Sequence, residues 1–251
     1  MKLGIVGGVS WPGTVHYYGE ICRRSEVLCG AAPEITVESL QHHRAVALIG
    51  SEDEASWQGF DSYHRKALRR LALAKCDVAM IASNSPHQRL SVIAKGVALP
   101  IIDLFEELAL AAQNLGMNSL LVLGTKLTMG SSRLRACLAT RGITMQTPDE
   151  VHWPKLFAIM EKLQHGPADG SEAAEICRIA KGHASVALAC SEFPLAFPDR
   201  QDATFQLDGK TFLSASVIHI EAAVRTVCGN GTESRDFLGQ STIFTLTRAS
   251  E

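Results

Sequence analysis

Two short polar clusters carry the residue types that could do chemistry. One is Ala82-Ser83-Asn84-Ser85-Pro86-His87 and the other is Ala189-Cys190-Ser191-Glu192-Phe193. A thiol can serve as nucleophile, metal ligand or proton-transfer base. Cys190 stands between small residues, directly before Ser191 and Glu192, whereas the other cysteines fall in predicted helices or turns. A lone cysteine is more often a buried inert thiol than a reactive one. The matching cluster at Ser83 shifts that balance, because two polar clusters of one plan suggest a site between two similar halves. The chemistry in view is removal of the α-proton of an amino acid, which leaves a carbanion that needs charge stabilisation. Backbone N–H groups, a cation on the carboxylate and donors such as Asn84, Ser85 and Ser191 would supply it. No lysine lies in a pyridoxal-type motif, so the chemistry expected is cofactor-free.

An apolar run precedes each cluster: Val78-Ala79-Met80-Ile81 before Ser83, and Val186-Ala187-Leu188-Ala189 before Cys190. Runs of this length bounded by polar turn residues read as buried parallel strands. Open α/β sheets bind ligands at the carboxyl ends of such strands. The pattern of strand, glycine turn and helix begins at Leu3–Val6 with Gly7-Gly8 and again at Ser119–Leu123 with Gly124-Thr125. Helices are expected over Thr14–Arg24, Asp61–Lys75, Ser131–Arg141, Pro154–His165 and Ser171–Lys181, with further strands at Ile35–Val37, Leu99–Asp103 and Ile143–Gln146. In the helix over Asp61–Lys75, Leu68, Leu71 and Leu73 should face inward beneath a basic outer face. Glu38 to Arg44 reads as a polar loop. Its adjacent His42 and His43 have no carboxylate or cysteine at ligand spacing, so no metal site is expected. Alternating strands and helices imply a helix-covered parallel sheet in each half.

The chain has 251 residues, 46% of them hydrophobic, enough for one large domain or two small ones with a real core. A formal net charge of −2 gives no electrostatic case for nucleic acid or an anionic membrane. No apolar segment reaches the ~18 residues needed to span a bilayer. Met1–Gly8 lacks the long apolar segment and small-residue cleavage site of a signal peptide, so none is expected. The seven cysteines include no CxxC pair, which fits a reduced cytoplasmic protein with mostly buried thiols. The opening glycines are not GxGxxG, so a dinucleotide site is not expected.

Together these motifs resemble the aspartate/glutamate racemase family, the pyridoxal-independent amino-acid racemases with two cysteine bases. Gly7-Gly8-Val9-Ser10-Trp11 with Tyr17-Tyr18 is similar to the family's opening. Ser83-Asn84-Ser85-Pro86-His87 resembles its Cys-Asn-Thr-x-His, and Cys190-Ser191-Glu192 its Cys-Thr-Glu. Leu123-Gly124-Thr125 resembles its second-half loop, Ile218-His219-Ile220-Glu221 its closing helix, and Arg44 lies in a segment like the one that holds a substrate carboxylate. The likeness covers about residues 1–227.

It implies an α/β fold of two pseudo-symmetric parallel-sheet halves with the active site in the cleft between them, commonly as a homodimer. The halves expected are 1–97 plus 206–228 and 98–205, with 229–251 as a C-terminal extension in which Thr242–Thr247 either forms a late strand or stays loose. The resemblance assigns catalysis to Ser83 and Cys190. It assigns substrate binding to Ser10, Trp11, Arg44, Asn84, Ser85, Thr125, Ser191, Glu192 and His219. The partner implied is a small amino acid, with no cofactor and no metal.

Three positions depart from the pattern. Ser83 replaces the first catalytic cysteine, Gln164-His165-Gly166 lacks a lysine that some members carry, and Ser214 stands near a usual aspartate. An unperturbed thiol titrates at ~8.5, so Cys190 works near neutral pH if its pKa is lowered. An alcohol is a far weaker acid. The expected activity is therefore an asymmetric racemase, with His87 or Glu192 as substitutes should Ser83 not be the second base. The rivals are a one-cysteine lyase or decarboxylase of the same superfamily, and an amino-acid-binding protein with impaired catalysis.

Overall fold

The computed structural model describes residues 1–229 and 243–244. These divide into two compact units, Met1–Asp103 with residues 220–229 and 243–244, and Leu104–His219.

The first unit runs β1 (Leu3–Gly7), α1 (Trp11–Cys29), β2 (Ile35–Ser39), α2 (His42–Ala47), α3 (Gln58–Leu73), β3 (Val78–Ile81), α4 (Leu90–Ile93) and β4 (Ile101–Ile102). In the second come α5 (Leu104–Asn114), β5 (Ser119–Gly124), α6 (Lys126–Met129), α7 (Ser132–Ala139), β6 (Thr144–Gln146), α8 (Trp153–His165), α9 (Ser171–Ile179), β7 (Ser185–Ala189), β8 (Thr204–Leu207) and β9 (Lys210–Ser214). Helix α10 (Ala215–Cys228) starts in the second unit and returns to the first. Strand β10 (Ile243–Phe244) pairs antiparallel with β4; the rest of the expected C-terminal extension beyond Gly229 lies outside the described residues.

The first sheet has the order β10-β4-β3-β1-β2 and the second β6-β5-β7-β9-β8, each parallel apart from one edge strand. Helices cover both faces of the second sheet, and its strands alternate between them. Leu120, Val122, Ala187 and Leu213 pack with α5 and α7. Leu121, Leu123, Val186, Leu188 and Phe212 pack with α8 and α9. Burial on both faces is why these strands read as continuous apolar runs. Each such Leu or Val contributes roughly 1.5–3 kcal/mol on burial.

The structure moves both boundaries between the halves. Residues 98–103 belong to the first unit because β4 pairs with β3, Ala79 against Ile101 and Met80 against Ile102. The return comes at Ile220, not 206, because β9 pairs with β7 and β8 closes that sheet's edge. The polar stretch at His42–Arg44 is helical in α2 rather than a loop. Leu68 and Leu71 are buried as expected, but Leu73 is 82% exposed. Two residues along a helix turn the side chain about 200° away from Leu71.

The cysteines also differ from expectation. Cys29 at the end of α1 and Cys228 at the end of α10 form a disulfide, with 5.8 Å between their Cα atoms. The return of α10 causes this: Ile220, Ala223 and Val224 pack with Tyr17 and Ile21 of α1, and Arg24 donates to Glu221 at 2.8 Å. Cys76, Cys137 and Cys190 are buried thiols, and Cys22 and Cys177 are half-buried ones.

Candidate active site

In the first sheet β3 and β2 flank β1 in parallel, so their carboxyl ends share one edge. That edge gathers Gly8–Ser10 after β1, Leu40–Arg44 after β2 and Ser83-Asn84 after β3. The turn after β1 needs glycine. Gly8 has φ +84°, and a Cβ there would lie 2.1 Å from the carbonyl oxygen of Leu40. Ser10 is buried and caps α1, its Oγ accepting from the N–H of Gly13 at 3.2 Å. Trp11, beside it, is exposed. Arg44 lies on the exposed side of α2 with its guanidinium carbon 4.8 Å from the centre of the Tyr63 ring. Stacking holds the planar fork in place, and among the described residues Arg44 forms no ion pair.

Strand β3 passes into the Ser83 turn while the pairing with β1 continues one residue further, the N–H of Ala82 donating to Val6 at 2.9 Å. The carbonyl of Ile81 then accepts the N–H of Ser83 at 2.8 Å. Ser83 is buried, and so is Asn84, whose amide nitrogen and oxygen both lack a hydrogen-bond partner among the described residues. An unsatisfied buried polar group costs about 1–3 kcal/mol. Ser85 is half-buried on the short helix that follows. His87 is fully buried with both ring nitrogens engaged: Nδ1 is 3.3 Å from Asp103 Oδ1, and Nε2 is 3.2 Å from the carbonyl oxygen of Ile81. A ring held in this way is no substitute base, contrary to the alternative the sequence left open. The same short helix carries Arg89, which the sequence did not single out. It donates to both oxygens of Asp61, each at 2.7 Å, grips Glu54 and lies over Trp57.

In the second sheet the ends of β5 and β7 lie side by side. A Cβ on Gly124 would meet the carbonyl oxygen of Ala189 at 2.7 Å, so glycine permits this approach just before Cys190. Thr125 is half-buried and caps α6 through the N–H of Thr128 at 3.2 Å. Lys126, next in the chain, is exposed.

Glu192 is the centre of the β7 end. Its buried carboxylate accepts from the Cys190 thiol at 2.8 Å and the Ser191 hydroxyl at 3.0 Å, both on Oε2. Gln164 of α8 donates to Oε1 at 3.1 Å. All three donors are neutral. Met160 Sδ lies 3.1 Å from Cys190 Sγ. Burial pushes the Cys190 thiol well up from its ordinary value, and the charge and hydrogen bond of Glu192 push it further. The sequence required the opposite direction for a thiolate at neutral pH. The sequence marked Gln164 only as a missing lysine; the turn of α8 puts its amide on the Glu192 carboxylate.

His219 is fully buried in α10. Ser214, in place of the expected aspartate, accepts from the N–H of Val217 at 3.4 Å at the start of that helix. Among the described residues no three His, Cys, Asp or Glu side chains converge to hold a metal ion, and no helix is long and apolar enough to cross a membrane.

A family model, Asp/Glu/Hydantoin racemase, matches residues 6–223. The chain belongs to this family. Its fold is also that of solved racemase structures. A candidate Asp/Glu racemase from Yersinia pestis superposes with a TM-score of 0.74 at 23% identity, covering 91% of this chain and 99% of that one. An aspartate racemase homologue from Pyrococcus horikoshii gives 0.70 at 22% identity, over 90% and 98% of the two chains. The glutamate racemase of Aquifex pyrophilus gives 0.60 at 16% identity, over 90% and 84%. At these identities the likeness establishes the fold of two α/β halves. Within the Asp/Glu/Hydantoin racemase family, this chain presents a serine after β3 and a cysteine after β7.

Proposed function

We propose that this chain is a cofactor-independent amino-acid racemase that breaks and remakes the Cα–H bond, with Cys190 as one base and Ser83 as its weaker counterpart. The observation that carries this reading is the buried Cys190–Glu192 pair. A thiol raised by burial cannot deprotonate a carbon acid until its own proton has a place to go. Glu192 provides that place 2.8 Å away. The thiol proton passes to the carboxylate, the thiolate takes the α-proton, and the electron pair of the C–H bond stays on the carbanion. The Ser83 hydroxyl would give a proton to the carbanion, and the cycle closes when solvent returns a proton to Ser83 and takes one from Glu192. Arg44 would take the substrate carboxylate with its fork. Asn84 would direct its two unpartnered amide atoms at the substrate's polar groups, where binding offsets their burial cost.

One observation favours a second reading. The environment of Cys190 keeps the thiol protonated, which suits a one-cysteine lyase that delivers a proton to one face of an enediolate after decarboxylation.

Incubation in deuterium oxide with separate D and L forms of aspartate, glutamate and other amino acids distinguishes these readings. The racemase reading expects α-deuterium and product of opposite hand, with one starting hand exchanging faster. Carbon dioxide release from a malonate-type substrate, without α-exchange of any amino acid, would establish the lyase instead.

A further inference from the structure

The mechanism above leaves a buried pair in the first unit unused. His87 and Asp103 are each fully buried, and they come from different places in the fold. Asp103 directly follows β4, and His87 lies on the short helix Ser85–Arg89 after the Ser83 turn. A carbonyl oxygen only accepts, so His87 Nε2 must carry a hydrogen and donate it to Ile81 at 3.2 Å. The Asp103 carboxyl at Nδ1, 3.3 Å away, holds the ring in that orientation. The same Ile81 oxygen receives the Ser83 N–H at 2.8 Å. One oxygen thus ties three things together: the last residue of β3, the backbone of Ser83, and a ring anchored on the neighbouring strand's end.

We propose that His87, oriented by Asp103, is a positioning residue that fixes the Ser83 turn through the Ile81 carbonyl. It touches no substrate in this role. The inference rests on the racemase reading only for its catalytic consequence; the position of residue 83 can be measured whatever the chain catalyses. Shape allows a sharp test. A glutamine amide nitrogen reaches about as far as histidine Nε2, whereas an asparagine amide nitrogen reaches only about as far as Nδ1. His87→Gln should keep the donor to Ile81, and His87→Asn should lose it.

The experiment is run in a Ser83→Cys background, where the thiol introduced at position 83 reports its own setting. Its rate of alkylation by iodoacetamide is followed by peptide mass analysis, with Cys190 as the internal reference. His87→Asn is expected to change the rate at position 83 at least fivefold and that at Cys190 less than twofold. His87→Gln should stay within twofold of the parent at both. If His87→Asn does not fold, Asp103→Ala replaces it, since it keeps the ring but frees its orientation, and the same change is expected. Equal alkylation rates at position 83 in all variants would overturn the proposal, as would equal damage from the Gln and Asn substitutions.

The Ser83 protein carries a second readout. His87→Asn should lower kcat for α-exchange of the hand served by Ser83 about tenfold at unchanged KM, and leave the other hand alone. Loss of both hands together would mean a general structural role and would count against positioning. Absence of exchange in the unsubstituted protein would overturn the racemase reading, and the alkylation rates would still decide the role of His87.

Discussion

The ends of β3 and β7 are built to one plan and provisioned differently. After β3, Asn84 is buried with neither amide atom partnered among the described residues, and Ser83 stands on a turn whose carbonyl is bonded twice. After β7, the polar groups satisfy one another. Cys190, Ser191 and Gln164 all donate to Glu192. Among the described residues the first end leaves the Asn84 amide unpartnered, and at the second a thiol donates to a carboxylate. The lesson is that a repeated topology does not repeat chemistry. At the β7 end a buried thiol donates to a buried carboxylate; at the β3 end the matching position is a serine.

Four substitutions test the difference between the two strand ends. The largest effect belongs to Cys190→Ala, which removes the only thiol at either end. Loss of a positioned acid–base group costs 10²–10⁴-fold, and here the expected loss of α-exchange is at least ~10³-fold, with the far-ultraviolet circular dichroism unchanged. Turnover surviving in that variant would leave the β7 end without its assigned role.

Glu192→Gln comes next and moves two observables in opposite directions. The carboxylate now raises the Cys190 thiol. Its removal therefore lowers that pKa, increases the thiolate fraction at a given pH and speeds alkylation of Cys190 by iodoacetamide. Turnover should nevertheless fall about 100-fold, because the thiol proton has lost its acceptor. Faster alkylation with undiminished turnover would reduce Glu192 to a structural neighbour.

Ser83→Cys makes the two ends chemically alike. It should raise conversion about tenfold and bring the exchange rates of the two hands together, since a thiol is much the stronger acid. Unchanged rates, checked by chiral chromatography, would place the second base elsewhere. The smallest effect is expected of Arg44→Lys. Lysine keeps the charge and loses the fork and the stack on Tyr63. KM should rise about fivefold, close to 1 kcal/mol, with kcat little changed; kinetics identical to the parent for every substrate would remove Arg44 from the site.

Much of this molecule was legible from residue patterns. The strands before Ser83 and Cys190 announce themselves because burial on both faces demands an apolar residue at every position. The strand, glycine and helix order beginning at Leu3 and at Ser119 reveals two α/β halves. Legibility stopped where a contact spans the chain. Strand β9 pairs with β7, so the return to the first unit comes later than the family resemblance implied. Leu73 belongs to the apolar count of α3 but not to its buried face. Cys29 and Cys228 are 199 residues apart, and only the docking of α10 on α1 brings them together. Gln164 and Glu192 lie 28 residues apart, and no local pattern predicts that one would donate to the other.

Side-chain type and a period of two or 3.6 residues were enough to show most strands and helices and the repeated half. The tertiary structure alone decided which way the Cys190 thiol is shifted, which groups His87 engages and where the halves divide. Desolvation, Coulomb interaction and hydrogen bonding depend on distances of a few ångströms between residues remote in the chain, and those distances exist only once the sheets have formed.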